Sequence, residues 1–146
     1  MQQSLRHFSK ITQLVLLLSP LVNASAAPPS DARQVNPIEV GASVPELSLT
    51  RADGSVVPLL ELIADSPAIL VFYRGGWCPF CQRHLAALGQ IETELSELGY
   101  RIHAISPDRT QQVAQAAAAG DFGYSLYSDA QANAAKALLE AAGAAL

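Results

Sequence analysis

The stretch Ala68-Ile69-Leu70-Val71-Phe72-Tyr73-Arg74-Gly75-Gly76-Trp77-Cys78-Pro79-Phe80-Cys81 decides the fold of this chain. Its first six residues form a continuous apolar run, the pattern of a strand buried on both faces of an α/β sheet. Gly75-Gly76 is most simply a backbone requirement of a tight turn. Proline is favoured at the first helical position, so Pro79 makes Cys78 the N-cap and places Cys81 one turn further in. Beyond it Leu85, Leu88, Ile91, Leu95 and Leu98 recur at three- and four-residue steps. That spacing predicts one amphipathic helix from Pro79 to Leu98, with Glu92, Glu94 and Glu97 on its wet side.

The flanking sequence extends the same alternation. Upstream, Val44 to Thr50 alternates, Asp53-Gly54 turns the chain and Ser55 to Pro58 returns, a hairpin signal. Leu59, Leu60, Leu62 and Ile63 suggest a short helix stopped near Asp65-Ser66-Pro67. Downstream, Gly99 ends the long helix and Tyr100 to Ile105 reads as the next strand. Ser106-Pro107-Asp108 has the form of an N-cap, a proline at the first position and an acid in the first turn. That helix runs through Val113 and four alanines to Gly120. Tyr124 to Tyr127 suggests a short strand, and a final helix follows from Asp129. The order implies an α/β domain, a central sheet with flanking helices and right-handed crossovers between parallel strands.

The 146-residue chain fits one domain once its ends are set aside. Arg6 and Lys10 supply a basic start, Ile11 to Val22 is mostly apolar, and Ala24-Ser25-Ala26 is an A-x-A cleavage signal, together the pattern of a secretory signal peptide. The expected organisation is therefore a signal peptide over 1–26, a linker over 27–40 and the folded domain over 41–146. A retained N-terminal anchor is the alternative, although the apolar run falls short of the roughly 20 residues a span needs. Cleavage would remove two of the 9 basic residues and none of the 13 acidic ones, leaving a net charge of −6. Such a chain has no basic patch for phosphates, which disfavours nucleic-acid binding. Localisation in the periplasm or another extracytoplasmic space follows, with no stable membrane span after cleavage.

Cys78 and Cys81 are the only cysteines. A helix N-terminus offers free amides and the positive end of the dipole, and both favour a thiolate at Cys78. Arg74 would add positive charge, and Trp77 would shield the pair or simply pack. Three helical residues separate Cα atoms by roughly 5 Å, within disulfide range. A bridge closing so short a loop is worth only about 2 kcal/mol by loop entropy. A redox role is thus favoured over a structural staple. Zinc is a third reading, with His84 and His103 as added ligands, but no second tight ligand pair exists and no metal or other cofactor is expected. His84 reads as a surface residue, His103 as structural, and Ser106, Pro107 and Asp108 as a helix start before a site.

With those residues in view, the chain resembles the peroxiredoxin-like branch of the AhpC/TSA (redoxin) family, within the thioredoxin-fold superfamily. The decapeptide from Phe72 to Cys81 carries the resemblance, and Ala104-Ile105-Ser106-Pro107-Asp108 follows it one helix later. Val44 to Leu47, the Asp53-Gly54 turn and Tyr127-Ser128-Asp129 add weaker matches. The resemblance implies thiol-dependent reduction of hydroperoxides or of protein disulfides. Cys78 would attack, Cys81 would resolve the intermediate by forming the Cys78–Cys81 redox disulfide, and Arg74, Trp77 and Pro79 would support them. A thioredoxin-like or other dithiol reductant would restore both thiols.

Two departures qualify what the resemblance implies. Peroxiredoxins proper carry Pro-x-x-x-Thr/Ser-x-x-Cys, whereas Val71 and Gly75 stand at those two places here. Thioredoxin folds also continue with a cis-proline loop, a hairpin and a closing helix, while this chain stops at Leu146. The C-terminal ββα portion is therefore expected to be missing, leaving an open sheet edge and an apolar face. Three readings stay open at this point: an exported antioxidant thiol peroxidase, an envelope thiol–disulfide oxidoreductase, and an inactive truncated remnant.

Overall fold

Asp53-Gly54 turns the chain as its sequence predicts, joining β1 (Ser48–Arg51) to β2 (Val56–Pro58) in an antiparallel pair with Leu49 opposite Val57. The Asp53 carboxylate accepts the Ser55 amide at 2.8 Å and the Ser55 hydroxyl at 2.7 Å, which stabilises the turn locally. This computed structural model describes residues 38–144. The expected signal peptide and most of the linker lie outside them.

After β2 come α1 (Leu59–Leu62), β3 (Ala68–Phe72), α2 (Pro79–Gln90) and α3 (Glu92–Glu97). The chain continues through β4 (Arg101–Ser106), α4 (Thr110–Ala119), β5 (Ser125–Ser128) and α5 (Asn133–Ala144). The strands form one sheet in the order β2-β1-β5-β4-β3. β3, β4 and β5 are parallel, and β1 runs antiparallel to both of its neighbours.

Successive residues of β4 and β5 point to opposite faces, so each strand feeds two cores. Ala104 and Leu126 join Tyr73, Leu85, Val113, Ala116 and Phe122 beneath α2 and α4. Ile105 and Tyr127 join Leu49, Val57, Leu59 and Ala134 on the side of α1 and α5. Burying each of the aliphatic side chains among them contributes roughly 1.5–3 kcal/mol. The result is a three-layer α/β domain, the class expected.

The structure corrects three sequence expectations. The Pro79–Leu98 helix is two helices: at Ile91 the backbone leaves helical geometry (φ −107°, ψ 3°), and its amide bonds to the Leu88 carbonyl. Gly89, a weak helix former, lies where a Cβ would sit 3.0 Å from the Phe122 carbonyl oxygen, so the close approach of that loop accompanies the break. Ile91 and Leu98, expected inward, are consequently exposed. Second, β3 is an edge strand, with no strand among the described residues pairing on its far side, and its residues are only partly buried where full burial was expected. Third, Ser106-Pro107-Asp108 does not start α4. Ser106 ends β4, Arg109 is the N-cap, and the Arg109 amide donates to Gln112 Oε1 at 3.0 Å. The last helix begins at Asn133, with the Asp129 carboxylate accepting the Ala134 and Ala135 amides. Among the described residues no helix is long and apolar enough to cross a membrane.

His103 is structural, as its place on a strand suggested. Its ring lies buried in β4 with Nδ1 3.2 Å from the Tyr127 hydroxyl, while Nε2 is buried without a partner. Burial, and secondarily the nearby Arg51 charge, lowers its pKa. A base whose folded pKa lies below its unfolded value stabilises the fold only while neutral. That contribution is intact above about pH 6.5 and is lost as pH falls toward the lowered folded value. Melting temperature is therefore expected to drop between pH 7.5 and 5, and His103→Gln to flatten this slope relative to the unsubstituted chain. An unchanged slope would refute the assignment.

Candidate active site around Cys78

The site lies where β3 leaves the sheet. Tyr73 continues the strand by one bond, its amide donating to the Ile105 carbonyl at 3.0 Å. Gly75 then turns the chain at φ +149°, a conformation that side chains strain against. A Cβ on Gly75 would also lie 2.5 Å from Trp77 Nε1 and 2.8 Å from Asp108 Oδ1. Glycine is thus required twice over. The Cys78 amide donates to the Gly75 carbonyl at 3.1 Å, and α2 opens at Pro79 with Cys78 as its extended N-cap. This matches the capping position read from the sequence.

Both cysteines are free thiols. Cys78 is only 3% exposed and Cys81 partly buried against the Tyr73–Leu85 core. The sulfur of Cys78 makes no cap hydrogen bond within ordinary geometric limits, so the expected direct bond to the helix amides is not formed. The same groups still favour its ionised form. The Cys81 amide and then the Cys81 thiol hold the Cys78 pKa below its ordinary value, with smaller help from the Phe80 amide and Arg74, against the opposing effect of burial.

The supporting residues divide by environment. Arg74 is exposed and stacks its guanidinium 5.0 Å from the Trp77 ring centroid. Trp77 and Phe80 are 65% and 72% exposed, so neither is core packing and both flank the cysteines at the surface. Arg83 lies 4.8 Å over the Phe80 ring. His84 is exposed, as expected of a surface histidine. Among the described residues no three His, Cys, Asp or Glu side chains gather closely enough to hold a metal ion.

The arrangement also includes Asp108, which the sequence reading took first as part of a helix start, and residues that it did not single out. Asp108, 7% exposed, accepts the Gly76 amide at 2.6 Å and the Ser106 hydroxyl at 3.2 Å. Gln82 of α2 donates from Nε2 to the Gly76 carbonyl. Asp108, Gln82, Gly76 and Trp77 line a cavity of about 300 Å³ beside the turn, together with Gln112 and Gln115 of α4. Tyr73 is buried with its hydroxyl facing Ser106 but short of a hydrogen bond, and burial raises its pKa. The only local signal for Asp108 was the Ser-Pro-Asp tripeptide, whose resemblance to a helix start concealed this role.

A three-layer α/β domain with Cys-x-x-Cys opening the helix after a sheet strand defines the thioredoxin-like class. Comparison narrows it: residues 40–140 match the AhpC/TSA family model, and the chain belongs to that family. A curated relative from Mycobacterium tuberculosis that carries the name peroxiredoxin is 29% identical over 94 residues, covering 64% of this chain and 61% of its own. The chain therefore spans about three-fifths of the length of that relative. The crystal structure of peroxidoxin BcpB from Mycobacterium tuberculosis is 26% identical and superposes with a TM-score of 0.64 over 71% of this chain and 66% of that one. Reduced Prx3 from Vibrio vulnificus, solved with hydrogen peroxide, gives a TM-score of 0.64 at 23% identity over 67% and 65%, a likeness of fold.

Proposed function

We propose that this chain is an exported thiol-dependent oxidoreductase that reduces hydroperoxides, with Cys78 as attacking thiol and Cys81 as resolving thiol. The observation that carries the reading is Cys78 at the N-cap of α2, its pKa lowered by the helix-entrance amide and thiol of Cys81. The Cys78 thiolate attacks one peroxide oxygen, the O–O bond breaks, and an alcohol or water leaves as Cys78 becomes a sulfenic acid. The Cys81 thiol then attacks the Cys78 sulfur, releasing water and forming the disulfide. An external dithiol, of the thioredoxin-like kind, reduces that disulfide and is itself oxidised. No bound cofactor takes part. The leader over 1–26 would place the reaction outside the cytoplasm.

The covered sulfur supports a substrate of few atoms, because only 3% of Cys78 is reachable without movement. A second reading, reduction of protein disulfides, is favoured by the exposed rings of Trp77 and Phe80, which suit a macromolecular partner. In that case Cys78 attacks a substrate sulfur and Cys81 releases the mixed disulfide.

Purified chain with a dithiol donor is expected to consume alkyl hydroperoxide catalytically. Without a donor, reduced Cys81→Ser should consume one equivalent and stop with a dimedone-reactive sulfenic acid on Cys78. Reduction of insulin disulfides without peroxide consumption would replace this reading with the second. Neither activity with any dithiol donor would defeat both.

A further inference from the structure

Cys78 owes its place to a turn of two glycines, and glycines alone do not hold a conformation. Unrestrained, Gly75-Gly76 would sample many backbone states, and the N-cap geometry would be one among them. The structure supplies restraint on both sides of one residue, through the two peptide groups that flank the Gly76 Cα. The Gly76 amide donates to Asp108 Oδ2 at 2.6 Å, a short bond of the charge-assisted kind. The Gly76 carbonyl accepts from the Gln82 carboxamide, one turn into the helix that Cys78 caps. Asp108 is itself immobilised: its carboxylate accepts the Ser106 hydroxyl at 3.2 Å, and its carbonyl accepts the Ser128 hydroxyl at 2.6 Å. The clamp thus ties the turn after β3 to the ends of β4 and β5.

We propose that Asp108 is a positioning residue for Cys78, holding the Gly76 backbone together with Gln82 so that the thiol is delivered to the entrance of α2. It rests on the reading of Cys78 as the attacking thiol. A charge effect and a positioning effect have opposite signs here. A carboxylate near a thiolate opposes ionisation, so removing its charge alone would make Cys78 more acidic. Losing the clamp instead lets Cys78 leave the helix-entrance dipoles and become less acidic. The other ionisable groups nearby are Arg74 on the same turn, Tyr73 just after β3 and Cys81 in α2; the first two are unchanged in every variant below and Cys81 is serine in all of them.

The test is the pH dependence of iodoacetamide alkylation at Cys78 in full chains that all carry Cys81→Ser. Asp108→Ala is expected to raise the midpoint toward that of free cysteine and slow alkylation at pH 7 about tenfold, the equivalent of one pKa unit. Asp108→Asn keeps an acceptor for the Gly76 amide and should stay at or below the parent midpoint. Gln82→Ala should shift upward, by less than Asp108→Ala. A midpoint that is unchanged or lower in Asp108→Ala overturns the proposal. If that variant shows no cooperative melt, an unchanged midpoint in Gln82→Ala overturns it. A Cys78 midpoint equal to that of free cysteine in the unsubstituted chain would instead refute the reading of Cys78 itself, a result separate from any effect of Asp108.

Discussion

Cys78→Ser is expected to bring peroxide and disulfide turnover to the uncatalysed background, a loss on the order of a thousandfold or more, as when a catalytic nucleophile is removed. Serine fits the N-cap at least as well as cysteine, so the fold should be kept and the melting temperature nearly unchanged. What disappears is an ionisable sulfur. The hydroxyl has no thiolate form near neutral pH, and the dipoles that lower the Cys78 pKa have nothing comparable to act on. In the unsubstituted chain, the reaction rate with peroxide should rise with pH as the thiolate forms and level off below the ~8.5 of a free thiol. Stopped-flow kinetics across pH 5 to 9 measures both. Retained turnover in Cys78→Ser would move the chemistry to another residue.

Ile105→Ala should be the most destabilising of the simple truncations, by about 2–5 kcal/mol. The side chain is fully buried near the end of β4, in one cluster with Leu49, Leu59 and Tyr127. Its carbonyl also accepts the Tyr73 amide at 3.0 Å, which joins the core to the strand end that feeds the Gly75-Gly76 turn. Removing three carbons there leaves a cavity bounded by sheet and helix that close-packed neighbours fill only in part. Against a total stability of order 5–15 kcal/mol, such a loss is visible as a lower urea midpoint at equal slope. A change under about 1 kcal/mol would mean the core relaxes around the gap.

Most element identities were legible because their signals are local. Asp53-Gly54 between alternating runs made the hairpin, the apolar run 68–73 made β3, and Pro79 marked the first residue of α2. The same locality made Cys78 identifiable as an N-cap, since capping is a relation among residues a few positions apart. Failures came where a distant contact overrode the local pattern. The leucine spacing from Leu85 to Leu98 is helical throughout, yet the Phe122 loop comes close at Gly89, just before the helix breaks at Ile91. The Ser-Pro-Asp tripeptide fits a helix start in isolation, but Asp108 finds a stronger donor in the Gly76 amide, 32 residues away in the chain.

Read along the chain, the residues of this AhpC/TSA family member are enough to name the α/β class, the cysteine pair and the helix that carries it. Hydrophobic period, proline placement and cysteine spacing act over a turn or two of backbone. Folding settled the rest: that β3 lies at an edge of the described sheet, where the long helix broke, and that a buried carboxylate and a carboxamide grip the Gly76 backbone two residues before the first cysteine. Those outcomes depend on through-space approach between segments dozens of residues apart, and no local pattern encodes how closely two such segments will pack.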